Sequence, residues 1–163
     1  MINKIIATFA RKSGTINGVF ALWQEAPDGT RVAIFHNIPA TSGQRGHTNT
    51  DWEVGKSPIP KGKHFLLLKQ EVLQMEPKGT PFFRICTTPA FPRLIQSKDG
   101  SVRTDVGLHL ENKNPGTAGC IALLHDTPER GAQAKNVFKY LKELGKTWPY
   151  IPIEVISVVN SAH

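Results

Sequence analysis

The sequence predicts a mostly-β (α+β) domain with one main helix. Three observations carry this. Short apolar segments rich in β-branched and aromatic residues recur along the chain. The 14 glycines and 12 prolines are spread along its length and punctuate those segments. Only one stretch, residues 128–144, keeps apolar residues at helical spacing over several turns. At 163 residues the chain fits a single domain, expected to span 1–163. A hydrophobic fraction of 39% is enough for a real core and too much for a disordered chain.

The elements follow in order. Residues 2–11 and 16–24 alternate loosely and read as strands joined at Ser13-Gly14. Pro27-Asp28-Gly29-Thr30 is a turn, and Arg31–Asn37 continues as a third strand, so the first three make an antiparallel meander. From Pro39 to Gly62 the chain reads as loop. His64–Leu68 is expected to be a buried strand and 70–76 a short helix ended by Pro77. Further strands are expected at 82–87, 92–96 and 106–110. In the main helix Thr127 caps the N-terminus, Pro128 suits the first turn and Glu129 favours the positive end of the dipole. Ala134, Val137, Phe138, Leu141 and Leu144 form its apolar stripe, and Gly145 stops it. Residues 151–159 close the chain as a last strand.

Composition narrows the function classes. Twenty Lys+Arg against 13 Asp+Glu give a net charge of +7, which favours anionic partners. The charge is diffuse, without a basic arm or a nucleic-acid motif, so nucleic acid is not the expected partner. No apolar run approaches the ~20 residues of a membrane span. The start, Met1 to Arg11, lacks the apolar core and cleavage site of a signal peptide, so synthesis in the cytoplasm is expected. His36, His47, His64 and His125 have no metal-ligand spacing, and no metal or cofactor is expected.

The two cysteines differ in context. Cys86 lies in the run Phe82–Cys86 and reads as a buried thiol. Cys120 follows Pro115-Gly116-Thr117-Ala118-Gly119, a glycine-rich turn leading into an apolar segment. A strand through Val106-Gly107-Leu108-His109-Leu110, a loop over Glu111–Gly116 and a return at Cys120 bring an imidazole and a thiol side by side. A thiol has a pKa of ~8.5, and a paired base raises its thiolate fraction. Gly119 lets the backbone turn so that N–H groups near Cys120 face a developing oxyanion, and the Thr117 hydroxyl orients loop or base.

His109, Thr117, Gly119, Cys120 and Ile121 together resemble the signature of the L,D-transpeptidase catalytic domain, the YkuD-like family of peptidoglycan enzymes. That signature is a His on a strand, then Ser/Thr-His-Gly-Cys and an aliphatic residue. Thr41-Ser42-Gly43 and Ser57–Phe65 resemble the family's upstream turns, and a helix and strand after the cysteine fit its closing elements. The family's His before Gly-Cys is Ala118 here, its Arg or Asn two places after the cysteine is Ala122, and the Gly after its first His is Leu110. The spacer between His109 and Cys120 is also shorter than usual. This reduced motif resembles phage- or mobile-element-associated members.

The resemblance implies an L,D-transpeptidase-like β-sandwich or barrel and a thioester acyl-enzyme on peptidoglycan stem peptides. Cys120 would be the nucleophile and His109 the base, with Gly119, Thr117 and Ala118 at the oxyanion and loop positions. Action in the periplasm or cell wall would follow delivery. Arg93, Arg103 and His47 are candidates for substrate binding. Two other readings stay open: a noncatalytic wall- or particle-associated module on the same fold, and a basic nucleic-acid binder.

Overall fold

In a computed structural model, the structure describes residues 4–44, 58–73, 79–91, 93–95, 102–103, 106–111 and 116–159. Eleven strands and one helix run in the order β1 (Lys4–Lys12), β2 (Asn17–Glu25), β3 (Arg31–Gln44), β4 (Gly62–Leu67), β5 (Glu71–Val72), β6 (Pro81–Cys86), β7 (Leu94–Ile95), β8 (Val102–Arg103), β9 (Gly107–Leu110), β10 (Gly116–Leu123), α1 (Pro128–Leu144) and β11 (Tyr150–Val158).

Eight strands close a mixed barrel in the order β4-β11-β1-β2-β3-β10-β9-β6, with β6 pairing back onto β4. The mostly-β expectation holds, and of sandwich and barrel the chain forms the barrel. β1, β2 and β3 make the expected antiparallel meander. The pairs β1–β11 and β9–β10 are parallel. β5 lies outside the ring against β6, and β7 pairs with β8 as a separate ribbon.

Alternation decides what fills the barrel. Phe9, Phe20, Ile38, Leu66, Phe83, Ile85, Leu108, Ile121, Leu123 and Ile153 come from all sides of the ring and form one buried cluster. Gly18 is needed where β2 crosses β1, since a Cβ there would stand 2.8 Å from Cε1 of Phe9. α1 supplies Ala134, Val137, Phe138 and Leu141 to the same core, and the Phe138 ring lies 6.0 Å from that of Phe83. Burying a side chain of this kind stabilises by about 1.5–3 kcal/mol.

The helix bounds match the sequence reading, and Thr127 accepts the Arg130 N–H at 3.2 Å. Gly145 ends the helix for a different reason than expected. Its φ of −63° is ordinary right-handed backbone. What excludes a larger residue is the Leu68 carbonyl oxygen, 2.6 Å from where a Cβ would stand.

Two expectations need correction. β3 does not end at Asn37 but continues to Gln44, because β2 and then β10 supply ladder partners through Ser42. Residues 71–72 are strand rather than helix, since Glu71 and Val72 pair with Phe82 and Pro81; residues 74–76 of the expected helix lie outside the described residues. Arg103 lies in the short strand β8.

Candidate active site

The pairing of β9 with β10 places the two chemical groups. Ile121 pairs with Leu108, Ala122 with His109 and Leu123 with Leu110, in parallel. Leu108, Ile121 and Leu123 point into the barrel. By alternation His109 and Ala122 share the outer face; Cys120 stands just before the paired residues, at the end of an irregular approach. Both reactive groups are covered: His109 is 6% exposed and Cys120 7%.

The approach to Cys120 is irregular. β10 pairs with β3 at Gly116↔Gln44 and again at Ile121↔Ser42. From Gly116 to Ile121 is five residue steps, while Gln44 to Ser42 is two, so β10 carries three extra residues in this interval. A bulge of this kind re-aims side chains and suspends the regular ladder. The glycine-rich segment expected as a turn is therefore a bulged strand. Thr117, Ala118 and Gly119 lie in that interval, and their side-chain surroundings are outside the described residues.

His109 is held from two sides. Its Nδ1–H donates to the Leu110 carbonyl oxygen at 2.6 Å, because a carbonyl can only accept. In the neutral ring Nε2 is then the lone-pair nitrogen. Burial pushes the imidazole pKa below its ordinary 6.5, opposed by the bond to Leu110, so the ring is neutral at pH 7. The Phe82 ring stacks beside it, centroids 6.1 Å apart and planes 27° apart. Arg84 in turn lies 5.6 Å over Phe82 and is gripped by Glu71 through two 3.0 Å bonds. Gly107 makes room for this arrangement: a Cβ there would stand 2.6 Å from Cε2 of Phe82 and 2.7 Å from the Phe83 carbonyl.

Arg103 contributes a buried cation. It is 2% exposed, and burial lowers its pKa to about 10, while the negative charge of Cys120 acts in the opposite sense. The guanidinium stays charged at neutral pH, and its attraction for a Cys120 thiolate is mutual. Arg93 is exposed, its guanidinium 5.6 Å over the Phe91 ring. His47 lies outside the described residues.

Sequence reasoning missed Glu111, Thr41 and Phe82. Glu111 is buried two residues beyond His109 on the same strand face and accepts a hydrogen bond from the Thr41 hydroxyl. Its backbone carbonyl accepts from Nε2 of His125 at 2.8 Å, so His125 braces the end of β9. The one local signal was the i,i+2 spacing of His109 and Glu111.

The remaining groups lie elsewhere. Cys86 is fully buried, as expected, and burial pushes its thiol pKa up. No disulfide joins it to Cys120. His64 faces the barrel interior, its Nε2–H donating to the Pro60 carbonyl at 2.9 Å. Among the described residues no three His, Cys, Asp or Glu side chains converge on a common point, and no helix is long and apolar enough to cross a membrane.

Compared with known proteins, the chain matches no family model, no curated protein and no solved structure.

Proposed function

We propose that this protein carries out cysteine-dependent acyl transfer or hydrolysis on peptidoglycan stem peptides, on a variant of the L,D-transpeptidase fold. The observation that supports this most is the β9–β10 register, which pairs His109 with Ala122, two residues after Cys120, while both His109 and Cys120 are buried. The substrate class comes from the resemblance of the Thr117–Ile121 segment and His109 to that family's motif.

The chemistry follows from the groups at the site. His109 Nε2 takes the thiol proton, and the Arg103 cation favours the resulting thiolate. The sulfur attacks a carbonyl carbon of the stem peptide, whose oxygen becomes an oxyanion. Backbone N–H groups of the bulged Gly119–Cys120 segment are the proposed donors to it. The C–N bond then breaks, and the His109 proton goes to the leaving amine. A thioester remains on Cys120, and an amine or water resolves it with His109 as base. Arg93 and His47 are kept as substrate-binding candidates. The site of action is the periplasm or cell wall after delivery.

Burial of both groups favours one second reading, a noncatalytic wall- or particle-associated module. Purified protein incubated with muropeptides, with and without an amine acceptor, separates the two by mass spectrometry. The proposal expects hydrolysed or exchanged products from wild type and none from Cys120→Ala. Identical patterns from both proteins would refute it.

A further inference from the structure

The turn of α1 gathers three of its lysines into a basic row. A groove of about 800 Å³ runs between α1 and the neighbouring ends of β5, β6 and β9. Its floor includes Pro81, Leu110 and Phe138, and one wall carries Lys135, Lys139 and Lys142. These lysines are four and then three residues apart, so they line one helix face at levels about 6 and about 4.5 Å apart. All three are exposed, and among the described residues none is paired with a carboxylate. None of the described lining residues is acidic. The nearby acids are engaged elsewhere: Glu143 with Lys146, and Glu71 with Arg84.

We propose that this groove binds a linear polyol-phosphate chain. A row of ammonium groups along an elongated groove complements an extended polymer with one charge per short repeat. The groove's basic residues are lysines, which bind phosphodiesters as point charges. Stacking of nucleic-acid bases has no platform here. Phe138 is the one aromatic ring among the described lining residues apart from the His125 imidazole, and Phe138 is 6% exposed. The His125 ring is committed to the Glu111 carbonyl. Gln70 and Asn136 supply carboxamides for hydroxyl and ester oxygens. This inference does not depend on the chemistry of Cys120.

The test is binding of a labelled glycerol-phosphate hexamer, measured by fluorescence anisotropy over a salt series. A thymidine hexanucleotide and hexaglutamate are the competing probes. The phosphate hexamer is expected to bind wild type at least about tenfold more tightly than either. Replacing three ammonium groups in K135Q/K139Q/K142Q is expected to weaken it at least about tenfold. The log–log salt slope should become shallower by about 2, from roughly 0.7 per charge. Ala132→Glu, which places a carboxylate in the groove, should weaken binding too, and Lys12→Gln outside it should not. All five positions are exposed, and circular dichroism checks that each variant keeps the wild-type spectrum. Equal binding of the nucleotide or the acidic peptide overturns the proposal. So does absence of binding, or a folded triple variant with wild-type affinity.

Discussion

Replacing Gly107 by alanine is expected to damage both the barrel and the candidate site. The new methyl group would stand 2.6 Å from Cε2 of Phe82 and 2.7 Å from the Phe83 carbonyl oxygen. Neither neighbour yields easily. Phe82 is 4% exposed, stacked beside His109 and overlain by Arg84, and the Phe83 carbonyl belongs to the β6 backbone paired with β9. Overpacking a core position costs about 1–3 kcal/mol, and a backbone obstacle puts this case near about 3. At about 2–4 °C per kcal/mol for a chain of this size, the melting temperature should fall by about 6–12 °C. Urea and thermal unfolding of wild type and Gly107→Ala measure this. Phe82→Leu supplies the control: in that background the alanine substitution should cost less, because the ring portion of the overlap is gone. A Gly107→Ala protein within about 0.5 kcal/mol of wild type would refute the packing argument. So would an equal cost in both backgrounds.

Other predictions follow from the buried polar groups and the helix cap. His64 and His109 both have pKa values lowered by burial, so below pH 6.5 the unfolded chain binds protons that the folded chain does not. Stability should therefore fall as pH drops through that range, by up to about 2.7 kcal/mol per pH unit for two such groups; urea midpoints at pH 5, 6 and 7.5 check it, and His64→Asn should remove about half the slope. Protonated His64 would also bury a second N–H at Nδ1, which has no hydrogen-bond partner among the described residues. Thr41→Val removes the hydroxyl bonded to buried Glu111 and should cost about 1.5–3 kcal/mol in urea unfolding. Thr127→Ala removes the helix cap and should cost about 1 kcal/mol by the same measurement.

What could be read from the sequence was what local residues decide. α1 announced itself through Thr127, Pro128, Glu129 and an apolar stripe, all within one segment, and it folds over those residues. β1, β2 and the start of β3 were visible through alternation and the turns between them. The remainder depends on partners distant in the chain. Pro39 and Gly43 look like loop residues, yet β3 runs through both. Pro39 sits opposite Val19 and its carbonyl accepts from Leu124, a role that needs no N–H of its own. Gly43, at φ 91°, has Pro58 packed on it so closely that a Cβ would lie 2.7 Å from its nitrogen. Residues 71–72 became strand because β6 offered them a ladder.

The candidate site divides in the same way. His109 and Cys120 were singled out by type and spacing. The strands that carry them are joined by a parallel register that follows a three-residue bulge, which no local pattern encodes. Thr41 meets Glu111 across 70 positions, and Phe82 reaches His109 across 27, so neither contact left a signal in either segment.

The intact mass of the protein after brief incubation with a tetrapeptide stem tests the Cys120–His109 claim most directly. The account predicts a gain equal to the acyl fragment, mapped by peptide digestion to Cys120 and not to Cys86. It should be absent in Cys120→Ala and strongly slowed in His109→Asn. An unmodified wild-type mass under conditions that keep the barrel folded, or an adduct that persists without Cys120, would contradict it.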